Sequence, residues 1–116
     1  MASGIEIEEV AVGNGAVVER GQLVSVRWRG TLNRGDPFGS GEVSFRAGGR
    51  EVVAGLSRGV IGMRVGGMRR LRVSPHLGYR ERAVPGVPAN AVLVFEVELL
   101  GTGQDAEPGA AADGGA

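Results

Sequence analysis

The pattern of apolar and polar residues predicts an α+β domain, antiparallel strands packed around one short helix. Two stretches, residues 24–29 and 93–99, alternate with period two, as half-buried strands do. A single stretch, from Val53 to Met63, has helical spacing. Glycines recur in pairs such as Gly48-Gly49 and Gly66-Gly67, cutting the chain into segments too short for long helices.

Along the chain, residues 5–12 read as a weaker strand with Ile5 and Ile7 on one side, and Asn14-Gly15 reads as a turn. In residues 24–29, Val24, Val26 and Trp28 share the inward face while Ser25, Arg27 and Arg29 share the other. Phe45 falls in another short extended piece. Val53, Leu56, Val60 and Met63 form one helical stripe, with Gly59 and Gly62 inside it. Each of those glycines costs about 0.8–1 kcal/mol relative to Ala, so packing against a sheet must hold the helix. In residues 68–73, Leu71 and Val73 face one way and Met68, Arg70 and Arg72 the other; Arg69 breaks the pattern and reads as an edge residue. Leu93, Phe95, Val97 and Leu99 face inward in the last strand, with Glu96 and Glu98 opposite.

At 116 residues and 42% hydrophobic content the chain fits one domain, and with 4% aromatics its core must come from Val, Leu, Ile and small residues. Residues 1–100 carry the fold; residues 101–116, rich in Gly and Ala with three acids, are expected to be a flexible tail. With no Cys and one His, the chain has no disulfide framework, thiol nucleophile or common zinc cluster, so neither metal nor cofactor is expected. All 13 basic residues are Arg and lie between positions 20 and 82, where the acids are Asp36, Glu42, Glu51 and Glu81. A polyanion partner would suit that basic middle. However, dispersed arginines are more often solvated, and Trp28 and Phe95 point inward rather than forming a stacking platform, so no nucleic-acid partner is expected. The longest apolar run, residues 91–95, spans no bilayer, and the start has no basic-then-apolar leader; the expected compartment is the cytoplasm.

Several motifs fail on inspection. Gly13-Asn14-Gly15 lacks the third glycine of a phosphate-binding fingerprint, since position 18 is Val. Gly39-Ser40-Gly41 and the lone His76 do not make a nucleophile elbow. Glu96 and Glu98 lie on one outer face, where glycosidase chemistry needs opposed acids across a cleft.

What remains is VSVRWRGTLNRGDPFGSG at 24–41, EVVAGLSRGVIGMRVGGMRRLRVSP at 51–75, LGYR at 77–80 and VPGVPANAVLVFEVELL at 84–100. This ordered set resembles the FKBP-type peptidyl-prolyl cis/trans isomerases over nearly all of residues 5–100. The resemblance implies a five- or six-stranded antiparallel half-barrel sheet wrapped around one short helix. It also implies isomerisation of X-Pro bonds in peptides or unfolded proteins, as a cofactor-free, monomeric folding helper able to take macrolide ligands with weakened affinity. The implied catalytic set is Trp28, Phe38, Val53 (through its backbone N–H), Tyr79 (through its hydroxyl) and Phe95. Val52, Leu56, Val43, Phe45, Val84, Val87 and Gly39 would complete the substrate site, with Val84 and Val87 in a flap.

The chain departs from the family pattern where Gly39 stands for a common Asp, where Leu56 stands for a common Trp on the pocket floor, and where Val43 stands for an aromatic, leaving Phe45 on the next inward position. Trp28 itself replaces a usual Tyr. These changes motivate an alternative, a proline-binding module of the same fold with little catalysis.

Overall fold

The two best alternating segments become neighbours in the middle of the sheet. The computed structural model describes residues 4–103. Its strands are β1 (Ile5–Ala11), β2 (Leu23–Leu32), β3 (Pro37–Arg46), β4 (Met68–Val73) and β5 (Leu93–Thr102), with helix α1 (Ala54–Gly59) between β3 and β4 and a 3-10 turn at Pro75–Leu77. All neighbours are antiparallel in one five-stranded sheet of order β1-β4-β5-β2-β3. The expected α+β class and antiparallel sheet are therefore present, with five strands. β5 is central because its inward row of Leu93, Phe95, Val97 and Leu99 is buried along its whole length. It also runs through Gly101 and Thr102, past the boundary expected at residue 100, and the Thr102 hydroxyl donates to Gln22 Oε1 at 3.2 Å. The rest of the expected tail, residues 104–116, lies outside the described residues.

The weakest predicted strand is an edge. In β1, Ile5 is half-buried but Ile7 is 50% exposed, because only one neighbour, β4, covers it. The register slips between Glu9 and Ala11, a bulge of the kind that blunts a free edge.

Arg69 is not at an edge, contrary to the sequence reading. β4 lies between β1 and β5, and Arg69 is on the same inward parity as Leu71 and Val73, 7% exposed. Its long stem lets it occupy a core position while its guanidinium reaches backbone carbonyls and Glu9.

The helix is shorter than the apolar stripe suggested. It ends at Gly59, and Gly62 takes a left-handed φ of +89°, so Val60 and Met63 enter the core from a turn rather than from the helix. α1 lies flush on β4 because two glycines leave no side chain between them. A Cβ at Gly55 would fall 2.3 Å from Val73 Cγ1, and one at Gly59 would fall 2.5 Å from Leu71 Cδ1.

The other face of the sheet carries a cross-strand charge ladder. Arg27 pairs with Glu42 and Glu98, both at 3.0 Å, and Arg70 pairs with Glu8 at 3.0 Å and Glu96 at 2.9 Å. Hydrogen bonding to Glu42 holds Arg27, and to Glu96 holds Arg70, above the ordinary guanidinium range, so both stay charged at any working pH. Such exposed pairs add little stability, but opposite charges facing across strands favour this register. With Arg27, Arg34, Arg69, Arg70 and Arg72 paired to carboxylates and the other arginines dispersed, we expect no salt-sensitive retention on a heparin column, and retention at low salt that fades with added salt would revive a polyanion partner. No helix among the described residues is long and apolar enough to cross a membrane.

Candidate functional site

On the helix side of the sheet a hollow of about 210 Å³ is lined by Trp28, Phe38, Val43, Glu51, Val52, Val53, Leu56, Tyr79 and Phe95. That is below the ~300 Å³ at which drug-sized sites begin, a size suited to one small ring and its flanking amides.

Its walls are three aromatic rings from three strands. Trp28 and Phe95 face each other across β2 and β5 with centroids 5.9 Å apart at 65°, and Phe38 stands edge-on to Phe95 at 5.8 Å and 84°. Trp28 and Phe38 are 6.2 Å apart. The two contacts with Phe95 have the separation and edge-on tilt that ring quadrupoles prefer. Simple alternation brings Trp28 and Phe95 inward, but Phe38 needs more. The β2–β3 register pairs Gly30 with Gly39 and then Thr31 with Pro37, so Phe38 is the extra residue of a bulge. That re-aims its ring over Gly30, where a Cβ would fall 2.4 Å from Phe38 Cζ.

Gly39 does not line the hollow, yet it shapes it. A Cβ there would lie 3.0 Å from Trp28 Cη2, so the indole occupies the room that a side chain at position 39 would take. Trp28 and Gly39 therefore fit as a pair, a large ring against a bare backbone, leaving this wall without a carboxylate.

The floor and donors come from the segment entering α1. Val53 sits at the helix start with φ −55° and ψ 145°, and its carbonyl accepts from Leu56 N–H at 3.1 Å and Ser57 N–H at 3.0 Å. The Ser57 hydroxyl donates to Gly49 O at 3.0 Å and Arg46 O at 3.2 Å, tying the helix to the loop after β3. Leu56, 3% exposed, provides a small apolar floor. Tyr79 is placed by the 3-10 turn. Leu77 anchors that turn in the core, and Arg80, at φ +58°, donates its N–H back to Pro75 O at 2.9 Å. Neither the Val53 N–H nor the Tyr79 hydroxyl makes a hydrogen bond to another described residue, so both are free to meet a ligand.

Besides Gly39, three of the expected site residues are not brought to the lining. Phe45 is 1% exposed in the core, because the inward position nearer the hollow is taken by Val43. Val84 and Val87 exchange backbone hydrogen bonds of 3.0 and 2.8 Å across a tight turn, with Val87 buried. The tip of that turn, Gly86, rests on the back of Phe38, where a Cβ would lie 3.3 Å from Phe38 Cβ. Glu51 was missed from sequence; only its adjacency to Val52 could have suggested it.

Elsewhere, a larger depression of about 390 Å³ on the opposite face lies among Arg27, Arg29, Glu42, Glu96 and Glu98, where the charge ladder neutralises itself. His76 engages the Ser74 hydroxyl at 2.9 Å in the 3-10 turn. Among the described residues there is no cluster of three or more His, Cys, Asp or Glu side chains that could hold a metal.

The family model for FKBP-type peptidyl-prolyl cis-trans isomerase matches residues 15–100. FK506-binding protein 4 of Gibberella zeae is 42% identical over 104 residues, covering 86% of this chain and 21% of that protein. FK506-binding protein 4 of Dictyostelium discoideum is 41% identical over 108 residues, covering 90% and 30%. The chain therefore spans less than a third of the length of these curated relatives. Among solved structures, AtFKBP13 superposes with a TM-score of 0.78 at 31% identity, covering 85% of this chain and 93% of that one. A peptidyl-prolyl cis-trans isomerase from Pseudomonas syringae pv. tomato does so with 0.78 at 28% identity, covering 89% and 78%. With the family model matching from before β2 to residue 100 of β5, and superposition over most of the chain beside it, the chain belongs to the FKBP-type peptidyl-prolyl cis-trans isomerase family.

Proposed function

We propose that the hollow binds a prolyl ring and that the protein isomerises X-Pro bonds in peptides or unfolded proteins, with an apolar residue favoured before the proline. The observation that carries this reading is an open cavity walled by Trp28, Phe38 and Phe95 beside two unengaged donors, the Val53 N–H and the Tyr79 hydroxyl.

The chemistry needs no acid, base or nucleophile. Amide resonance sets a rotation barrier of roughly 18–20 kcal/mol, and X-Pro bonds isomerise unaided in tens to hundreds of seconds. Twisting the bond breaks that resonance and returns charge from the carbonyl oxygen to nitrogen, so the transition state is less dipolar than the planar ground state. An apolar wall favours the twisted form. In this reading Trp28, Phe38 and Phe95 hold the ring, Val43, Val52 and Leu56 complete the apolar lining, and the Val53 and Tyr79 donors anchor flanking carbonyls so that binding energy orients the bond. Val84 and Val87 act indirectly, by backing Phe38 through the turn at Gly86. The working unit we propose is a cytoplasmic monomer that assists folding of its clients and binds macrolides of the FK506 type weakly, since Leu56 is a small floor.

A protease-coupled or NMR exchange assay on an X-Pro peptide tests the activity; turnover no faster than buffer leaves the alternative, a binding module, which the small floor at Leu56 favours. Tyr79→Phe removes one neutral hydrogen bond worth about 0.5–1.5 kcal/mol, so kcat/KM is expected to fall about two- to ten-fold with stability unchanged. Leu56→Trp is expected to tighten macrolide binding by supplying a flat floor, and calorimetry showing equal affinity would count against that placement.

A further inference from the structure

Arg69 is the only arginine among the described residues that is buried, at 7% exposure. It lies on the inward row of β4 next to Leu71 and Val73, the two side chains on which Gly59 and Gly55 of α1 rest. Its Nη1 donates to Gly59 O and to Ile61 O, each at 2.8 Å, and its Nε donates to Glu9 Oε2 at 2.7 Å, with Nη2 ion-paired to the same oxygen at 2.7 Å. The guanidinium thus closes the C-terminal end of the helix, where carbonyls lack intrahelical partners. A helix of six residues cannot hold its own position, so contacts at its ends set it. One end carries the Val53 amide, and Leu56, three residues before Gly59, is the cavity floor.

We propose that Arg69, itself held by Glu9, is a positioning residue for the prolyl cavity. It sets the placement of α1 along the sheet, and through it the depth of the floor at Leu56 and the heading of the Val53 N–H. The proposal rests on the cavity being the substrate site. Removing one partner of a buried pair costs stability. Glu9, 46% exposed, can turn to solvent, but the Gly59 and Ile61 carbonyls lose their donor, so positioning is read per folded molecule and apart from stability. In Arg69→Met the core stays filled but the helix end is released.

The test compares Arg69→Met, Arg69→Lys and Glu9→Gln with the parent, far below their melting temperatures and corrected for folded fraction. A small misplacement of reacting groups carries a large kinetic penalty, so Arg69→Met is expected to lose on the order of ten-fold or more in kcat/KM, mostly in kcat. Arg69→Lys, which keeps the charge but cannot reach both carbonyls and Glu9, should recover part of it, and Glu9→Gln should lose a few-fold by the same logic. Two readouts do not need turnover: the fluorescence of Trp28, the chain's single tryptophan and a cavity wall, and the ¹H–¹⁵N resonance of Val53. Both are expected to shift in Arg69→Met. Unchanged kcat/KM per folded molecule together with an unmoved Val53 resonance would overturn the proposal, as would Arg69→Lys being no better than Arg69→Met. If Arg69→Met does not fold, Arg69→Lys and Glu9→Gln decide by the same resonance. Should the parent show no isomerase turnover, the functional reading fails, while the Val53 and Trp28 signals still decide whether Arg69 positions the helix.

Discussion

Replacing Phe95 by Ala is expected to lower stability by about 3–5 kcal/mol, the range for truncating a buried aromatic. Phe95 is 3% exposed on the central strand, between Gly30 of β2 and Leu71 of β4. Its ring is also the one that both Trp28 and Phe38 meet edge-on. The loss is a large share of the roughly 5–15 kcal/mol that holds a domain of this size folded. The melting temperature should fall by roughly 12 °C or more, at about 4–8 °C per kcal/mol. Isomerase activity should fall even at temperatures where the variant stays folded, because Trp28 and Phe38 lose the surface that sets their tilt. Phe95→Leu separates the two effects: it refills most of the core but supplies no ring edge, so stability should largely return while kcat/KM stays low. Thermal denaturation with exchange NMR reads both. A Phe95→Leu variant with full activity would mean the third ring is packing alone.

The second large effect is at Gly55, where two terms of opposite sign compete. Ala in place of Gly inside a helix gains about 0.8–1 kcal/mol in propensity. Here the new methyl would lie 2.3 Å from Val73 Cγ1 and 2.6 Å from Cγ2, against a β-branched side chain fully buried on a strand with neighbours on both sides. Overpacking of that kind costs about 1–3 kcal/mol. Strain should win, because Val73 is stiff at χ1 and its strand cannot move without β1 and β5. Gly55→Ala is therefore expected to destabilise by up to about 2 kcal/mol, and Gly55→Val by more. Since the helix can escape only by lifting off β4, the floor at Leu56 should rise with it and weaken binding of proline-containing peptides. A Gly55→Ala variant more stable than the parent would show that the helix has slack against the sheet.

Part of this was legible in the residues themselves. Alternation around Val24, Val26 and Trp28, and around Leu93, Phe95, Val97 and Leu99, identified the two strands that meet at the sheet centre, because burial on one face leaves a period-two record. Arg69 misled for a physical reason. A charged group at an inward position reads as an interruption, and only the carbonyls of Gly59 and Ile61 with the carboxylate of Glu9 explain why a charge can stand there. The helical stripe overran the helix because Val60 and Met63 are equally buried from a turn, and periodicity records burial rather than hydrogen bonding.

The site divides the same way. Tyr79, Val52, Val53 and Leu56 could be carried over from the family pattern, and they do surround one hollow with Trp28, Phe38 and Phe95. Phe38 reaches that hollow by way of a bulge whose extra residue no alternation rule announces, and Phe45 misses it by one inward step of β3. By itself the sequence determined the class, the central strands, the absence of thiol chemistry and the candidate rings, since these follow from local pattern and residue type. Only the tertiary structure decided that the indole of Trp28 fills the space over Gly39, that α1 lies bare on β4, and that a buried guanidinium closes its end. Those are contacts between residues far apart in the chain, where the fit of one group depends on the volume another leaves, and no local pattern encodes that.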